Sequence, residues 1–304
     1  MWAPVKNRMK MNKSNLLRKK LSEPNIILSP GVYDCLSAKI AERTGFEVIL
    51  TSGFGISGSV LGYPDYGLLT ATEMLNAAGN ISKSIDIPLI ADIDTGYGNP
   101  INVVRTIENV IDLGIAGVIL EDQEWPKRCG HLEGKRIIAM EEHVEKISAA
   151  RFASGESGLV IVARTDARAE LGLEEAIRRG KAYYEAGADV IFIEAPQTEE
   201  ELKEIPLALS DVPLLANMIE GGKTPCLSAQ NLDKLGFKLG VFALSGLFAA
   251  TKAIEDCFNF LKENGTTSGF ENTSSFKDYK ELINMKKYHE LEEKFVTRKS
   301  SQNK

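Results

Sequence analysis

Cysteine is scarce in this sequence, and the few that occur are not paired. The four cysteines are Cys35, Cys129, Cys226 and Cys257. None forms a CxxC pair or another spacing typical of zinc ligands, so the pattern predicts no structural zinc site. Isolated thiols also favour an intracellular, cytoplasmic protein over a secreted scaffold that is held by disulfides.

Long apolar runs and an excess of positive charge are lacking as well. No apolar run approaches the roughly 20 residues that a membrane-spanning helix needs, so we expect no membrane partner. The net charge of −6 argues against a general affinity for nucleic acid. A small anionic substrate is still compatible with this charge, because one local site can hold positive charge. The composition, 43% hydrophobic and 26% charged, predicts a globular protein with a large core.

The N-terminal segment is the basic exception. Its first 20 residues contain seven Lys or Arg and no acid. We interpret residues 1–24 as a basic tail that leads into a capping helix, because Leu16, Leu17 and Leu21 share one helical face. A transit sequence to an organelle is the alternative, but the first 20 residues hold a single serine.

A repeated local pattern runs through the middle of the chain. A glycine that follows a helical stretch precedes a run of apolar residues in TGFEVIL (44–50), LGIAGVIL (113–120), AGADVIFI (186–193) and LGFKLGVF (235–242). Continuous apolar runs are typical of parallel strands covered by helices on both faces. Four further runs complete a set of eight: NIIL (25–28), IPLIAD (87–92), LVIVAR (159–164) and VPLLAN (212–217).

Helical patterns alternate with these strands. One of them, residues 70–85, begins with Thr70 and has Glu73 three residues later, which is a capping box. Alternating strands and helices over about 250 residues predict an α/β fold of the (β/α)₈ TIM-barrel type. A doubly wound open sheet is the alternative, but no glycine-rich dinucleotide motif follows the first strand. We assign the barrel to residues 25–262. Residues 263–304 would form a helical extension that ends in a disordered tail from Thr297.

Carboxylates follow several of the predicted strands. Asp92 and Asp94 end the third strand, Glu121 ends the fourth and Glu194 the sixth. Because Asp92 and Asp94 are two residues apart, we expect both on the same face of that strand. In a (β/α)₈ barrel these ends form one rim, where the active site lies. Because clustered carboxylates repel one another, we expect a bound cation: Mg²⁺, with Mn²⁺ as the alternative. The other interpretation is that each acid caps the helix that follows it.

The loop after the fourth strand, residues 122–136, carries the second reactive group. Lys127, Arg128, Cys129, Gly130 and His131 are consecutive there. A thiol between cations is expected to have a lowered pKa and to exchange protons near neutral pH. Glycine suits a moving lid that closes over a substrate. The alternative is a basic surface loop with a chance cysteine.

These motifs give the chain a resemblance to a known family. ADIDTGYGN (91–99), LEDQEWPKRCGH (120–131), VARTDA (162–167) and NMIEGGKTP (217–225) resemble the isocitrate lyase/phosphoenolpyruvate mutase superfamily, and the similarity runs from about residue 30 to about residue 293. The Lys-Arg-Cys-Gly-His sequence is similar to that of its lyase branch. The resemblance implies the lyase activity of that branch on 2,3-dimethylmalate or 2-methylisocitrate.

The resemblance also implies roles for individual residues. The metal would be bound directly by Asp94, with Asp92 and Glu121 holding its waters. Cys129 would be the general acid, assisted by Lys127, Arg128, His131, Arg164 and Glu194. The substrate, a small anionic carboxylate, would be bound by the backbone N–H groups of Ser52 and Gly53 and by Asp65, Gly130, Arg164, Asn217 and Ser245.

Two other activities remain open at this point. Oxaloacetate hydrolysis to oxalate and acetate is one, because oxaloacetate hydrolases carry serine at the position of Ser245. A non-catalytic carboxylate-binding barrel is the other, although binding alone does not need a reactive thiol. Members of this branch are homotetramers in which the C-terminal helix swaps between neighbours, so we expect the same assembly here.

Overall fold

The computed structural model describes residues 12–296 and contains a closed barrel of eight parallel strands. Each strand pairs with the next, and β1 pairs with β8, so the predicted (β/α)₈ barrel is confirmed. The strands are β1 Ile27–Val32, β2 Ile49–Thr51, β3 Leu89–Asp92, β4 Gly117–Glu121, β5 Val160–Thr165, β6 Val190–Ile193, β7 Leu214–Asn217 and β8 Leu239–Phe242.

The strands are buried on both faces, which explains their continuous apolar sequences. In β5, Val160 and Val162 belong to the cluster that fills the barrel, whereas Ile161 and Ala163 pack in the layer between barrel and helices. Burial of a Val or Ile side chain contributes about 1.5–3 kcal/mol to folding. Leu17 is fully buried in the inner cluster. The N-terminal helix therefore contributes a side chain to the inner core of the barrel.

Helices follow the strands. The predicted capping box is present, with Glu73 N–H donating to Thr70 Oγ1 and Thr70 N–H donating to Glu73 Oε2. The helices of the barrel region are α1 Lys13–Ser22, α2 Cys35–Arg43, α3 Gly53–Ile56 (continued by a π-helical turn, Ser57–Leu61), α4 Ala71–Ser84, α5 Pro100–Asp112, α6 Met140–Ser154, α7 Ala167–Leu171, α8 Leu173–Glu185, α9 Glu199–Ala208 and α10 Ala229–Leu235.

The chain divides into two compact units, Met1–Phe248 and Ala249–Lys304. Helix α11, Ser245–Asn264, continues across this division and past the predicted boundary at residue 262, so the domain limits remain a prediction. Two helices follow in the second unit, α12 Phe276–Leu282 and α13 Met285–Phe295. They are separate because Asn284 is left-handed, with φ 54°.

Two predictions fall on the ends of the chain. The basic tail before residue 12 and the disordered tail from Thr297 lie outside the described residues. Within residues 12–296, no helix combines the length and apolar character that crossing a bilayer requires.

Candidate active site

A narrow cavity of about 60 Å³ lies at the carboxyl ends of the barrel strands. Residues at the ends of β2, β5, β6 and β7 form its polar wall, and the loop 122–136, here called the lid, covers part of it. The structure brings together these predicted site residues around the cavity: Ser52, Gly53, Asp65, Asp92, Cys129, Gly130, His131, Arg164, Glu194 and Asn217.

Arg164 is the central cation of this wall. Its guanidinium lies 3.0 Å from Glu121 Oε2, 3.0 Å from both oxygens of Asp166, and 3.3 Å from Glu194 Oε2. The side chain is almost fully buried, so these charges are poorly screened by water. Arg164 was predicted to pair with a substrate carboxylate, and the structure shows it already held in place by three carboxylates of the chain.

Glu194 is held ionised by this arrangement. Burial alone would raise the pKa of Glu194, but Arg164 and then His131 outweigh that effect and lower its pKa to about 2. His131 Nε2 lies 3.1 Å from Glu194 Oε1, and His131 Nδ1 accepts a hydrogen bond from the N–H of Lys223 at 3.0 Å. An imidazole that accepts at Nδ1 carries its proton on Nε2. His131 therefore presents an N–H to Glu194 and ties the lid to the loop after β7.

The Cys129 thiol was predicted to have a lowered pKa, and this prediction was wrong. Burial raises the pKa of Cys129 to about 11, and Asp65 and Glu194 act in the same direction. The neighbouring cations were expected to lower it, but they point elsewhere. Lys127 Nζ lies 2.8 Å from both Asp65 Oδ1 and Asp94 Oδ1. The thiol of this closed site is therefore protonated near neutral pH.

Arg128 also turns away from the thiol. Its Nη1 donates to the carbonyl oxygen of Glu133 at 3.1 Å, and its guanidinium carbon lies 5.3 Å from the centroid of the Tyr66 ring. The side chain does not line the cavity. Adjacency in sequence suggested a cluster of cations around Cys129, but successive side chains of an irregular loop point in different directions.

Two predicted substrate contacts are also placed differently from the expectation. The N–H of Ser52 donates to the carbonyl oxygen of Val32 at 2.9 Å, so it is not free for a ligand. Gly53 begins α3 and its N–H points out of the helix end, where an anion can be bound. Ser245 donates to Glu220 Oε1 and does not line the cavity.

The expected metal ligands lie beside the cavity. Asp94 follows the end of β3 with φ 49°, and its N–H donates to Asp92 Oδ1 at 3.0 Å. The two acids therefore do not share one strand face as predicted. Burial raises the pKa of Asp94 to about 6, with Lys127 opposing and Asp92 adding to the effect. Burial also raises the pKa of Glu121 well above its usual range.

These acids can hold a metal only with the help of water. Across residues 12–296, no three His, Cys, Asp or Glu side chains are arranged so that they could bind a metal ion on their own. Glu121 Oε1 is buried and accepts no hydrogen bond from the residues that the structure describes. Mg²⁺ usually takes one or two carboxylates and retains several waters. The donor set of Asp94, with Asp92 and Glu121 behind it, therefore fits Mg²⁺.

The sequence reading missed several residues of the site. Lys135 and Asp166 lie 3.3 Å apart and are both buried behind the lid. Phe54, Ile219 and Leu244 form part of an apolar wall of the cavity. Lys135 could be seen near the end of the lid in the sequence. Nothing in the sequence pattern indicated that its side chain is buried beneath the lid.

Fold and site together define the class of the protein: a (β/α)₈ barrel whose carboxylate-rich cavity is closed by the loop after β4. A family model described as phosphoenolpyruvate phosphomutase matches residues 17–261. The chain therefore belongs to this family, within the phosphoenolpyruvate mutase/isocitrate lyase superfamily, and the resemblance seen in the motifs is confirmed.

Several curated proteins are similar over most of the chain. The petal death protein of Dianthus caryophyllus is 44% identical, over 92% of this chain and 88% of its own. The 2,3-dimethylmalate lyase of Eubacterium barkeri is 42% identical, over 94% and 99%. The 2-methylisocitrate lyase of Bacillus subtilis is 39% identical, over 96% and 95%. Two of these relatives are named lyases, so the prediction that the chain is an enzyme of this kind is confirmed.

Solved structures give the same fold. An oxaloacetate acetylhydrolase with the inhibitor 3,3-difluorooxalacetate superposes with a TM-score of 0.89 at 35% identity, over 93% of this chain and 97% of that one. A phosphonopyruvate hydrolase in complex with oxalate and Mg²⁺ superposes with a TM-score of 0.85 at 30% identity, over 94% and 100%.

Proposed function

We propose that this chain is a Mg²⁺-dependent carbon–carbon lyase. Its substrate would be a 2-hydroxy di- or tricarboxylate of the 2,3-dimethylmalate or 2-methylisocitrate type, and its products pyruvate and a second carboxylate. One observation carries the proposal: the half-buried Cys129 thiol lines a cavity that also contains Arg164, and burial raises the pKa of this thiol. Cleavage of a carbon–carbon bond leaves a carbanion that must be protonated, and a protonated thiol in the same cavity can supply that proton.

The substrate would be oriented by the cations and donors of the cavity wall. Arg164 offers its guanidinium to one carboxylate, since planar N–H groups suit two carboxylate oxygens. The N–H of Gly53 faces another anionic group. Asn217 Oδ1 is buried and has no partner among residues 12–296, so a substrate hydroxyl can donate to it. These contacts would place C3, the carbon next to the hydroxyl-bearing C2, on the side of the lid.

The reaction then needs two proton movements. Mg²⁺, or Mn²⁺, held by Asp94 and through waters by Asp92 and Glu121, would lower the pKa of the substrate hydroxyl. Asp92, whose side chain lines the cavity, would take the proton of this hydroxyl. The hydroxyl oxygen would become the carbonyl oxygen of pyruvate, and the electron pair of the broken C2–C3 bond would stay on C3. Cys129 Sγ gives its proton to C3. Arg164 would offset the negative charge that develops on the departing fragment, and His131 would hold Glu194 in the cavity wall.

The apolar wall supports an alkylated substrate. Phe54, Ile219 and Leu244 line the cavity next to its charged side. An alkyl group buried against such a wall gains about 0.8 kcal/mol per methylene. A substrate without an alkyl branch leaves that gain unused.

Hydrolysis of oxaloacetate is the second candidate. It is supported by the structural similarity to an oxaloacetate acetylhydrolase. Ser245, the residue that raised this alternative, bonds to Glu220 in place of facing the cavity. This contact weakens the argument from Ser245, and the lyase is preferred.

Purified protein with Mg²⁺ would be tested for pyruvate release from 2,3-dimethylmalate, 2-methylisocitrate, isocitrate and oxaloacetate, with oxalate assayed in parallel. We expect pyruvate from one methylated acid, lost on addition of EDTA. Cys129→Ala and Cys129→Ser should lower kcat by about 10²–10⁴-fold and still bind oxalate with Mg²⁺. Cys226→Ser, at an exposed thiol, is the control. Full activity in Cys129→Ser would refute the acid role, and oxalate from oxaloacetate alone would refute the lyase.

We further propose that the active form is a homotetramer with a swapped C-terminal helix. Helix α11 leaves Ile254, Phe258 and Leu261 exposed, and none of its residues is buried within one chain. A second copy that covers this face would remove the apolar surface from water. Light scattering of the full chain tests the assembly, and a monomer at micromolar concentration would contradict it.

A further inference from the structure

The lid is connected to the barrel by a buried charged side chain that the proposed reaction does not use. Lys135 lies near the end of the lid, yet its side chain is only 1% exposed. Its Nζ donates to the carbonyl oxygen of Gly130, at the tip of the lid. The same Nζ lies 3.3 Å from Asp166 Oδ1, just after β5. The Lys135 ammonium group therefore connects Gly130, at the tip of the lid, to Asp166, just after β5.

The position of the lid tip explains why this contact matters. A Cβ on Gly130 would overlap Arg164 Nη2 and Glu194 Cγ, so the tip is packed directly onto the two side chains that form the charged wall. The neighbouring residue in the lid is Cys129, whose N–H donates to the carbonyl oxygen of Asp65 at 3.1 Å. If the tip moves away, the thiol leaves the cavity with it.

Asp166 joins this contact to the substrate-binding cation. Its Oδ1 accepts from Arg164 Nη2 at 3.0 Å and also faces Lys135, and its Oδ2 lies 3.0 Å from Arg164 Nε. Asp166 is fully buried, and its own N–H donates to Asp122 Oδ1 at 2.9 Å. A carboxylate with so many partners cannot move freely, so it provides a rigid anchor for Lys135.

We propose that Lys135 and Asp166 form a latch that holds the lid closed, with Lys135 as a positioning residue for Cys129. A buried ammonium is costly without partners, and Lys135 has its two partners only while Gly130 lies at this place. The closed lid keeps the Cys129 thiol in the cavity and keeps water out. The proposal rests on the lyase function only for its effect on turnover, because the position of the lid can be measured without turnover.

The test compares Lys135→Met with Arg136→Met. Arg136 is the next residue of the lid, and its side chain is 72% exposed and pairs with Glu124, so it is a matched control. Iodoacetamide labelling of Cys129 is followed by peptide mass spectrometry, with exposed Cys226 as an internal standard. We expect labelling of Cys129 to accelerate about 10- to 100-fold in Lys135→Met, the effect of losing a hydrogen bond to a charged group. In Arg136→Met the rate of Cys129 labelling should stay within about twofold of the rate in the natural protein.

Steady-state kinetics give a second readout, with the substrate that the pyruvate assay identifies. Lys135→Met should lower kcat about tenfold or more, because the proton donor is misplaced, whereas the affinity for oxalate with Mg²⁺ should change less than about threefold. Equal labelling rates in Lys135→Met and Arg136→Met would overturn the latch. If no acid in the panel is cleaved but the labelling accelerates, the latch stands and the lyase function fails.

A second variant covers the case in which Lys135→Met does not fold. Asp166→Asn keeps the shape of the anchor and removes its charge, so labelling of Cys129 should again accelerate. Circular dichroism and the melting temperature verify the fold of each variant. Unchanged labelling in a folded Asp166→Asn variant would also overturn the latch.

Discussion

Asp122 is the residue whose loss we expect to destabilise the barrel most clearly. Its carboxylate is fully buried between the ends of β4 and β5 and helix α8. Oδ2 accepts hydrogen bonds from Thr165 Oγ1 at 2.7 Å, Tyr183 OH at 2.8 Å and Arg179 Nη1 at 2.9 Å, and Oδ1 accepts from Asp166 N at 2.9 Å. Burial raises the pKa of Asp122, so its ionised form depends on these partners.

The perturbation is Asp122→Ala. It removes one of the two carboxylates that pair with the buried Arg179 guanidinium, the other being Glu175, and removing one member of a buried ion pair costs about 3–5 kcal/mol. In a chain of this size each kcal/mol lowers the melting temperature by about 2–4 °C, so we expect a loss of about 6–20 °C. The comparison is Glu124→Gln, which breaks an exposed pair with Arg136 and should cost about 0–1 kcal/mol.

Thermal unfolding followed by circular dichroism at pH 7.5 and one fixed heating rate measures the difference. The double variant Asp122→Ala with Arg179→Met should recover part of the loss, because it also removes the buried cation that has lost its contact with Asp122. A melting temperature in Asp122→Ala no lower than in Glu124→Gln would refute the reasoning, since the four hydrogen bonds would then contribute nothing to stability.

Two further predictions concern acid stability and metal binding. Burial lowers the pKa of His143 to about 3, below its unfolded value of about 6.5, so the unfolded chain binds the proton first as the pH falls. From pH 7 to pH 5 the free energy of unfolding of the natural protein should therefore fall by about 2 kcal/mol more than that of His143→Gln, as measured by chemical denaturation. An equal fall in both proteins would contradict this. Asp94→Asn should weaken Mg²⁺ binding at least about tenfold by calorimetry while the fold is retained, and unchanged affinity would exclude Asp94 as the direct ligand.

The barrel could be predicted from sequence because its causes are local and repetitive. Glycines that end helices and apolar runs that fill strands recur with one period, and this pattern admits few architectures. The strand ends then identified most residues around the cavity, since parallel strands of a barrel all end at the same rim. Asp92 and Glu194 were found in this way, without knowledge of any contact.

Other features depended on the tertiary structure alone. Adjacency of Lys127, Arg128 and Cys129 suggested a thiol with a lowered pKa, yet Lys127 turns to Asp65 and Asp94, and burial raises the pKa of the thiol instead. The contacts of Lys135 beneath the lid likewise gave no signal in the pattern. Composition and periodicity determine which backbone forms, because they act through local geometry and burial. The direction of a side chain in an irregular loop, and hence the charge around it, is decided only when distant segments pack together.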